Sequence, residues 1–285
     1  MAAATLAEAD EALGFSLSRI FLDGPEDELR LTENTQPAIL TVSVAAWRVL
    51  AEHGVQPAFA AGHSLGEWSA HVAAGTFSFA DAVRAVKARG RSMQLAVPAG
   101  EGAMAAVLAL GADEVSAACD EAARMTGKVV SAANFNSPDQ TVISGAREAV
   151  EKAGELAKER GARRVVPLPV SAPFHCALME PARLEVERVL SAISLSEPRF
   201  PVAANVSGGL LMTVAAVREA LVEQVTGTVR WVACVKALKS AGAEVFVEVG
   251  PGKVLSGLLR QIDHSQKCLN VDDPASLEKT LAELG

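Results

Sequence analysis

The stretch Ala60-Ala61-Gly62-His63-Ser64-Leu65-Gly66-Glu67-Trp68 constrains the chain most. An apolar run from Pro57 to Ala61 reads as a buried strand, and a helical run from Glu67 to Ala74 follows at once. Between them, Gly62-x-Ser64-x-Gly66 has the pattern of a nucleophile elbow, a turn too tight for side chains at both glycines, which lifts the serine hydroxyl above the sheet. Ser64 then lies at a helix N-terminus, where free N–H groups and the helix dipole favour negative charge. The N–H of Leu65 is placed to donate to an oxyanion. By itself the motif is a short pattern in a glycine-rich chain. The strand before it and the helix after it make the nucleophilic reading the better one.

A serine hydroxyl needs a base at neutral pH. Of the five histidines, His53 ends a surface helix, His71 lies inside the helix after the elbow, and His264 sits among polar residues near the C-terminus. His63 adjoins Ser64, but neighbours at an elbow point in different directions. His175 remains, in a loop at a domain junction, where clefts form. Two readings of it stay open, a base and a packed junction histidine. Arg89 poses a similar choice. Ser78-Phe79-Ala80-Asp81 is a capping box that starts a helix running to about Val97, with Ala82, Val83, Val86 and Met93 as its inward stripe. Arg89 falls on that stripe. A buried guanidinium needs an anion, either a protein carboxylate or a ligand.

Elsewhere the order of elements sets the architecture. Ala3 to Leu13 reads as a helix stopped by Gly14. Thr35-Gln36-Pro37 opens a helix with Thr35 as cap, and Ile39, Val42, Ala46, Val49 and Leu50 give it a buried face. From Gly102 to Val170 the pattern is β-α-β-β-α-β, that of the ferredoxin-like fold. Later strands at Pro201 to Val206 and Glu244 to Val249 alternate with helices at about Leu178 to Ala192, Val214 to Val225 and Arg230 to Ala241, and a last helix starts near Lys253. The expectation is an α/β chain: an α/β-hydrolase-like large domain with a mainly parallel sheet, residues 1–99 and 171–285, and an inserted ferredoxin-like subdomain, residues 100–170.

Composition narrows the function classes. The 285 residues are 50% hydrophobic, ample for a large core. A net charge of −8 argues against a general nucleic-acid surface. No apolar run spans a bilayer and no basic leader opens the chain. Four dispersed cysteines read as free thiols in a reducing cytoplasm, with no metal site.

The string Gly62-His63-Ser64-Leu65-Gly66-Glu67 resembles malonyl-CoA:acyl carrier protein transacylases. Thr35-Gln36-Pro37-Ala38, Asn134-Phe135-Asn136-Ser137-Pro138, Pro167-Leu168-Pro169-Val170-Ser171, His175-Cys176-Ala177-Leu178-Met179 and Glu248-Val249-Gly250-Pro251-Gly252-Lys253 resemble the same family in the same order, from about Leu13 to about Ile262. The resemblance implies transfer of a malonyl group from malonyl-CoA to the phosphopantetheine thiol of acyl carrier protein, through a malonyl-serine, in fatty acid biosynthesis. It implies Ser64 as nucleophile, His175 as base and Gln224, in Val222-Glu223-Gln224-Val225, as the residue whose backbone carbonyl orients that base. Arg89 then takes the malonyl carboxylate, Gln36 lines the same pocket, and Phe174 narrows the space beside the acyl α-carbon. Asn134 and Asn136 line the cleft or simply cap a hairpin. Arg163 and Arg164 match a basic pair that docks the acidic carrier, or else form a solvated helix end. The resemblance implies no metal or redox cofactor, no membrane or nucleic-acid partner, and a cytoplasmic monomer.

It departs at the start. The family opens with a strand and a Gly-Gln-Gly-Ser-Gln loop, about thirty residues not found before Leu13 here. That departure predicts an impaired enzyme, with the Leu65 N–H as its remaining oxyanion donor. The alternatives are a serine hydrolase of acyl thioesters and a catalytically silent form that binds acyl-CoA or the carrier.

Overall fold

The computed structural model describes residues 1–285. The elbow strand is short, Ala60–Ala61, and pairs in parallel with Val202–Ala203, which pairs antiparallel with Leu210–Leu211. A second parallel pair joins Val245–Val249 to Lys267–Val271. Helices cover these strands. The helix Leu65–Ala73 runs straight out of the elbow, and Thr32–Glu52 packs against Phe79–Leu95. Their shared core includes Leu40, Val44, Trp68, Val83, Val86, Met93, Met179 and Leu221. Burying each such aliphatic side chain contributes roughly 1.5–3 kcal/mol.

Residues Gly102 to Pro167 form the β-α-β-β-α-β unit expected. Strands Gly102–Leu108, Val130–Ser137, Gln140–Ala146 and Arg164–Pro167 make one antiparallel sheet. Across it the strands stand second, third, first, fourth, the ferredoxin-like order. Helices Ala112–Thr126 and Arg147–Glu159 lie on one face, around a core of their own that includes Val107, Val115, Ile143, Val150 and Leu156. The unit is stitched to the rest by a parallel bridge between Asn134 and Val229.

Three local expectations need correction. Thr35 does not cap its helix, which begins at Thr32 with Leu31 before it. The Thr35 hydroxyl instead donates to the carbonyls of Leu29 and Leu31 at 2.5 and 3.1 Å. The buried face of that helix also differs in part from the one expected. Ile39 is exposed, and Gln36, Pro37, Leu40, Thr41, Val44 and Ala45 point inward. Leu50 is buried as expected and Val42, Ala46 and Val49 are half-buried; counting apolar residues alone misses buried polar ones such as Gln36 and Thr41. Finally, the elbow is tight at one glycine only. A Cβ on Gly62 would sit 1.9 Å from the Gly66 carbonyl carbon, whereas a Cβ on Gly66 would meet nothing within 4 Å.

Gly14 closes the helix Ala2–Leu13 in the left-handed region, φ 73°, as its position predicts. Beyond the last helix expected, Val254–Ile262, the chain adds the strand Lys267–Val271 and the helix Pro274–Leu284. Asp273 caps that helix through the Ser276 N–H at 2.7 Å.

Candidate active site

The turn from Ala61 into Leu65–Ala73 holds Ser64 at φ 51°. The loop before the short helical turn Ala177–Met179 holds His175 at φ 59°. These are two of the three non-glycine residues with left-handed φ, the third being Ala109. Such conformations are disfavoured for L-residues and concentrate at sites of chemistry.

The two side chains meet. Ser64 Oγ lies 2.7 Å from His175 Nε2, and His175 Nδ1 lies 2.8 Å from the backbone carbonyl of Gln224. A carbonyl can only accept, so Nδ1 carries the ring proton and Nε2 is left as the acceptor for the serine O–H. His175 is 4% exposed. Burial, then the nearby Arg89 cation, pushes its pKa down to about 3, against the stabilising pull of the Gln224 carbonyl. The imidazole is therefore neutral at pH 7, as an acceptor must be. The Leu65 N–H, at the start of its helix, has no acceptor within the protein.

Arg89 is buried on the inward stripe of Phe79–Leu95, 1% exposed. Nη1 donates to Gln36 Oε1 at 2.6 Å, and Nη2 donates to Gln224 Oε1 at 2.8 Å and to Ser64 Oγ at 3.1 Å. All three acceptors are neutral, and no carboxylate lies in salt-bridge range among the ion pairs of the chain. Its Nε has no partner at all. Burial lowers its pKa to about 10, and it stays cationic. A structural ion pair does not explain this arginine. A cation with free hydrogen-bonding capacity beside the Ser64 hydroxyl is chemically able to receive an anion.

Beneath the elbow lies a polar layer that the sequence reading did not anticipate. Asn205, just past the strand Val202–Ala203, spans the turn. Its Oδ1 accepts from the Ser64 N–H at 2.6 Å and its Nδ2 donates to the Gly62 carbonyl at 2.8 Å. Glu67 is fully buried, and its Oε2 accepts from Gln224 Nε2 at 2.6 Å and from the Asn205 N–H at 3.1 Å. Burial raises the Glu67 pKa to about 7, while Gln224, Asn205 and Arg89 draw it back.

The remaining predicted residues are placed less directly. Asn136, more than Asn134, reaches the elbow, since its Oδ1 lies 2.8 Å from His63 Nε2. Asn134 is buried beside Val229, with its backbone in the bridge between the two. Phe174 is half-buried and packs on both the main core and the sheet of the inserted unit. Arg163 and Arg164 are exposed and make no ion pair. All four cysteines are free thiols, and no group of His, Cys, Asp and Glu is arranged to hold a metal. No helix is long and apolar enough to cross a membrane.

Comparison with known proteins agrees with this geometry. A model of the acyl transferase domain matches residues 1–277. The chain is 48% identical over 280 residues to the malonyl CoA-acyl carrier protein transacylase of Salmonella typhimurium, covering 98% of this chain and 90% of that protein. It is 46% identical over 277 residues to the protein of that name from Bacillus subtilis, covering 97% and 87%. Among solved structures, an acyl carrier protein S-malonyltransferase from Vibrio cholerae superposes with a TM-score of 0.95 at 46% identity, covering 98% of this chain and 91% of that one. A malonyl-transacylase solved in complex with its type II PKS acyl-carrier protein gives 0.96 at 45% identity, covering 99% and 91%. The paired Ser64 and His175, the unpaired buried Arg89 and these matches lead to one conclusion: the chain belongs to the acyl transferase family, among the malonyl-CoA:acyl carrier protein transacylases.

Proposed function

We propose that this chain is an acyltransferase that moves a malonyl group from malonyl-CoA to the phosphopantetheine thiol of acyl carrier protein, in fatty acid biosynthesis. One observation carries the reading: Ser64 Oγ lies between His175 Nε2 and the buried Arg89 Nη2. A nucleophile, its base and a carboxylate receptor thus share one point.

The steps follow from that arrangement. Malonyl-CoA places its free carboxylate on Arg89, beside Gln36. Ser64 Oγ attacks the thioester carbon as His175 Nε2 takes its proton, and the carbonyl oxygen becomes an oxyanion facing the Leu65 N–H. The C–S bond then breaks, and the departing CoA sulfur takes the proton back from His175. In the second half His175 accepts the proton of the carrier thiol, whose sulfur attacks the malonyl-serine ester. The Ser64 oxygen leaves and recovers its proton. No metal or redox step is required, and a neutral carbonyl at Gln224 suffices to orient the base. Overall the reaction exchanges one thioester for another, so its two ends are nearly equal in energy.

The malonyl carboxylate has a second effect. Arg89 is one of the groups that depress His175. An anion bound to Arg89 cancels that field and makes His175 a stronger base when the right substrate is present. Phe174 beside the base supports malonyl over bulkier acyl groups. The exposed Arg163 and Arg164 support an acidic carrier as partner, and they lie on the unit we assign as a subdomain, residues 100–170, inserted into the catalytic domain of residues 1–99 and 171–285. We assign the enzyme to the cytoplasm, as a monomer.

The test is intact mass after mixing with malonyl-CoA. The wild type should gain one malonyl group and lose it on addition of carrier thiol faster than to water. Ser64→Ala should gain none. Malonylation of Ser64→Ala at another residue, or loss to water alone, would overturn the reading.

A further inference from the structure

We propose that Glu67 is a positioning residue that sets the base and the arginine together by fixing the side chain of Gln224. The proposal rests on the acyl-transfer reading above. Gln224 is the shared member of the site. Its backbone carbonyl accepts from His175 Nδ1, and its side-chain Oε1 accepts from Arg89 Nη2. Its Nε2 donates to Glu67 Oε2 at 2.6 Å and to the Ser64 carbonyl at 2.9 Å. The side chain is 0% exposed, so no water can replace a lost partner at little cost.

An amide can be inserted in two orientations. Turned over, Gln224 would set its NH₂ against the Arg89 guanidinium and its oxygen against the Glu67 carboxylate. Both contacts repel. Glu67 thus acts with Arg89 and the Ser64 carbonyl to fix which face of Gln224 meets Arg89, and its 2.6 Å contact is the shortest of the three. The same Oε2 accepts from the Asn205 N–H, and the Asn205 side chain holds both the Gly62 carbonyl and the Ser64 N–H. One carboxylate oxygen thus reaches the nucleophile through Asn205, and the base and the carboxylate receptor through Gln224. The other oxygen, Oε1, is buried with no partner. Function at this position needs the acceptor Oε2. It leaves Oε1 free to be replaced by an NH₂.

That asymmetry gives a test. Glu67→Gln keeps an acceptor at Oε2 and removes the charge. Glu67→Asp keeps the charge and withdraws the acceptor by one methylene. Glu67→Leu removes both. Malonyl and acetyl acylation rates would be measured per active site, by quenched-flow intact mass, with wild type alongside. Displacements of this size at a catalytic constellation cost on the order of 10²-fold. Glu67→Asp and Glu67→Leu should therefore lose about 10–100-fold in malonyl acylation and shift the malonyl-to-acetyl ratio at least about fivefold. Glu67→Gln should stay within about threefold of wild type in both rates per active site, while the unpartnered NH₂ it buries at the Oε1 position lowers its melting temperature. A purely structural role would change the fraction of active sites and leave the ratio per site alone. If Glu67→Leu does not fold, the Asp and Gln variants still decide. The proposal is overturned if Glu67→Asp matches wild type, if Glu67→Gln is as impaired as Glu67→Asp, or if the ratio does not move. A wild type that gains no malonyl mass overturns the acyl-transfer reading instead.

Discussion

Replacing Arg89 by alanine should change which acyl group is transferred far more than whether one is. Arg89 is 1% exposed and bonded only to the neutral Gln36, Gln224 and Ser64 side chains. Glu67 acts on it only through the intervening Gln224 side chain and no protein carboxylate touches it, so the substrate carboxylate would be the one anion in direct contact. Removing one member of a buried ion pair costs about 3–5 kcal/mol, because the other charge is left desolvated and alone. At 1.36 kcal/mol per decade, malonyl acylation should fall by roughly 10²–10⁴-fold. Acetyl has no carboxylate to strand. It also escapes a bare cation beside its methyl group, and His175 is relieved of the Arg89 field that depresses it. Acetyl acylation should hold or rise. The assay is competition: equal malonyl-CoA and acetyl-CoA, quenched at short times, with the two acyl-enzymes resolved by mass. The malonyl-to-acetyl ratio should drop by about 10²–10⁴-fold. A drop under about fivefold would show that the guanidinium does not read the carboxylate, and the argument from its missing counter-ion would fail.

Three further outcomes are expected. His175→Ala should slow acylation of Ser64 by about 10²–10⁴-fold, and an unchanged rate would refute the dyad. Arg163→Glu with Arg164→Glu should raise KM for the carrier protein at low salt while leaving acylation by malonyl-CoA untouched; an effect that persists at high salt would argue against electrostatic docking. Stability should fall as pH drops from about 6.5 toward 3. His71 and His175 are held neutral in the fold, each near 3, while the unfolded chain protonates them near the ordinary imidazole value of 6.5. Depressed histidines stabilise above the unfolded pKa, and that contribution is lost on acidification. Glu67 works in the opposite sense: its pKa, raised to about 7 from 4.5, should erode stability as pH climbs through that interval. Urea midpoints across pH 4–8 read both slopes. His71→Asn should flatten the acid limb and Glu67→Gln should remove the opposing one.

What could be read from the sequence was local or strongly periodic. The elbow was legible because Gly62 and Ser64 stand between an apolar run and a helical one. The inserted unit was legible because its alternation changes period at each glycine or turn. Arg89 could be flagged from spacing alone, since Val86 and Met93 fix the inward side of its helix. Glu67 and Asn205 could not. An acidic residue in the first turn of a helix is ordinary dipole compensation, and only packing against Gln224, 157 positions away in the chain, makes it part of the site. Asn205 follows a two-residue strand, too short to announce what its side chain spans. The buried face of Thr32–Glu52 was only partly legible for a related reason: it mixes Leu40, Val44 and Leu50 with the polar Asn34, Gln36 and Thr41, which an apolar count passes over.

The left-handed backbone at Ser64 bears on how this protein can be engineered. A side chain at φ 51° and ψ −105° is held against its own preference by the surrounding fold, at about 1–3 kcal/mol. Glycine accepts that geometry freely. The inactive variant Ser64→Gly should therefore melt at a higher temperature than the working enzyme. A library selected for heat resistance alone would enrich it, and with it a protein that has traded its chemistry for a relaxed turn.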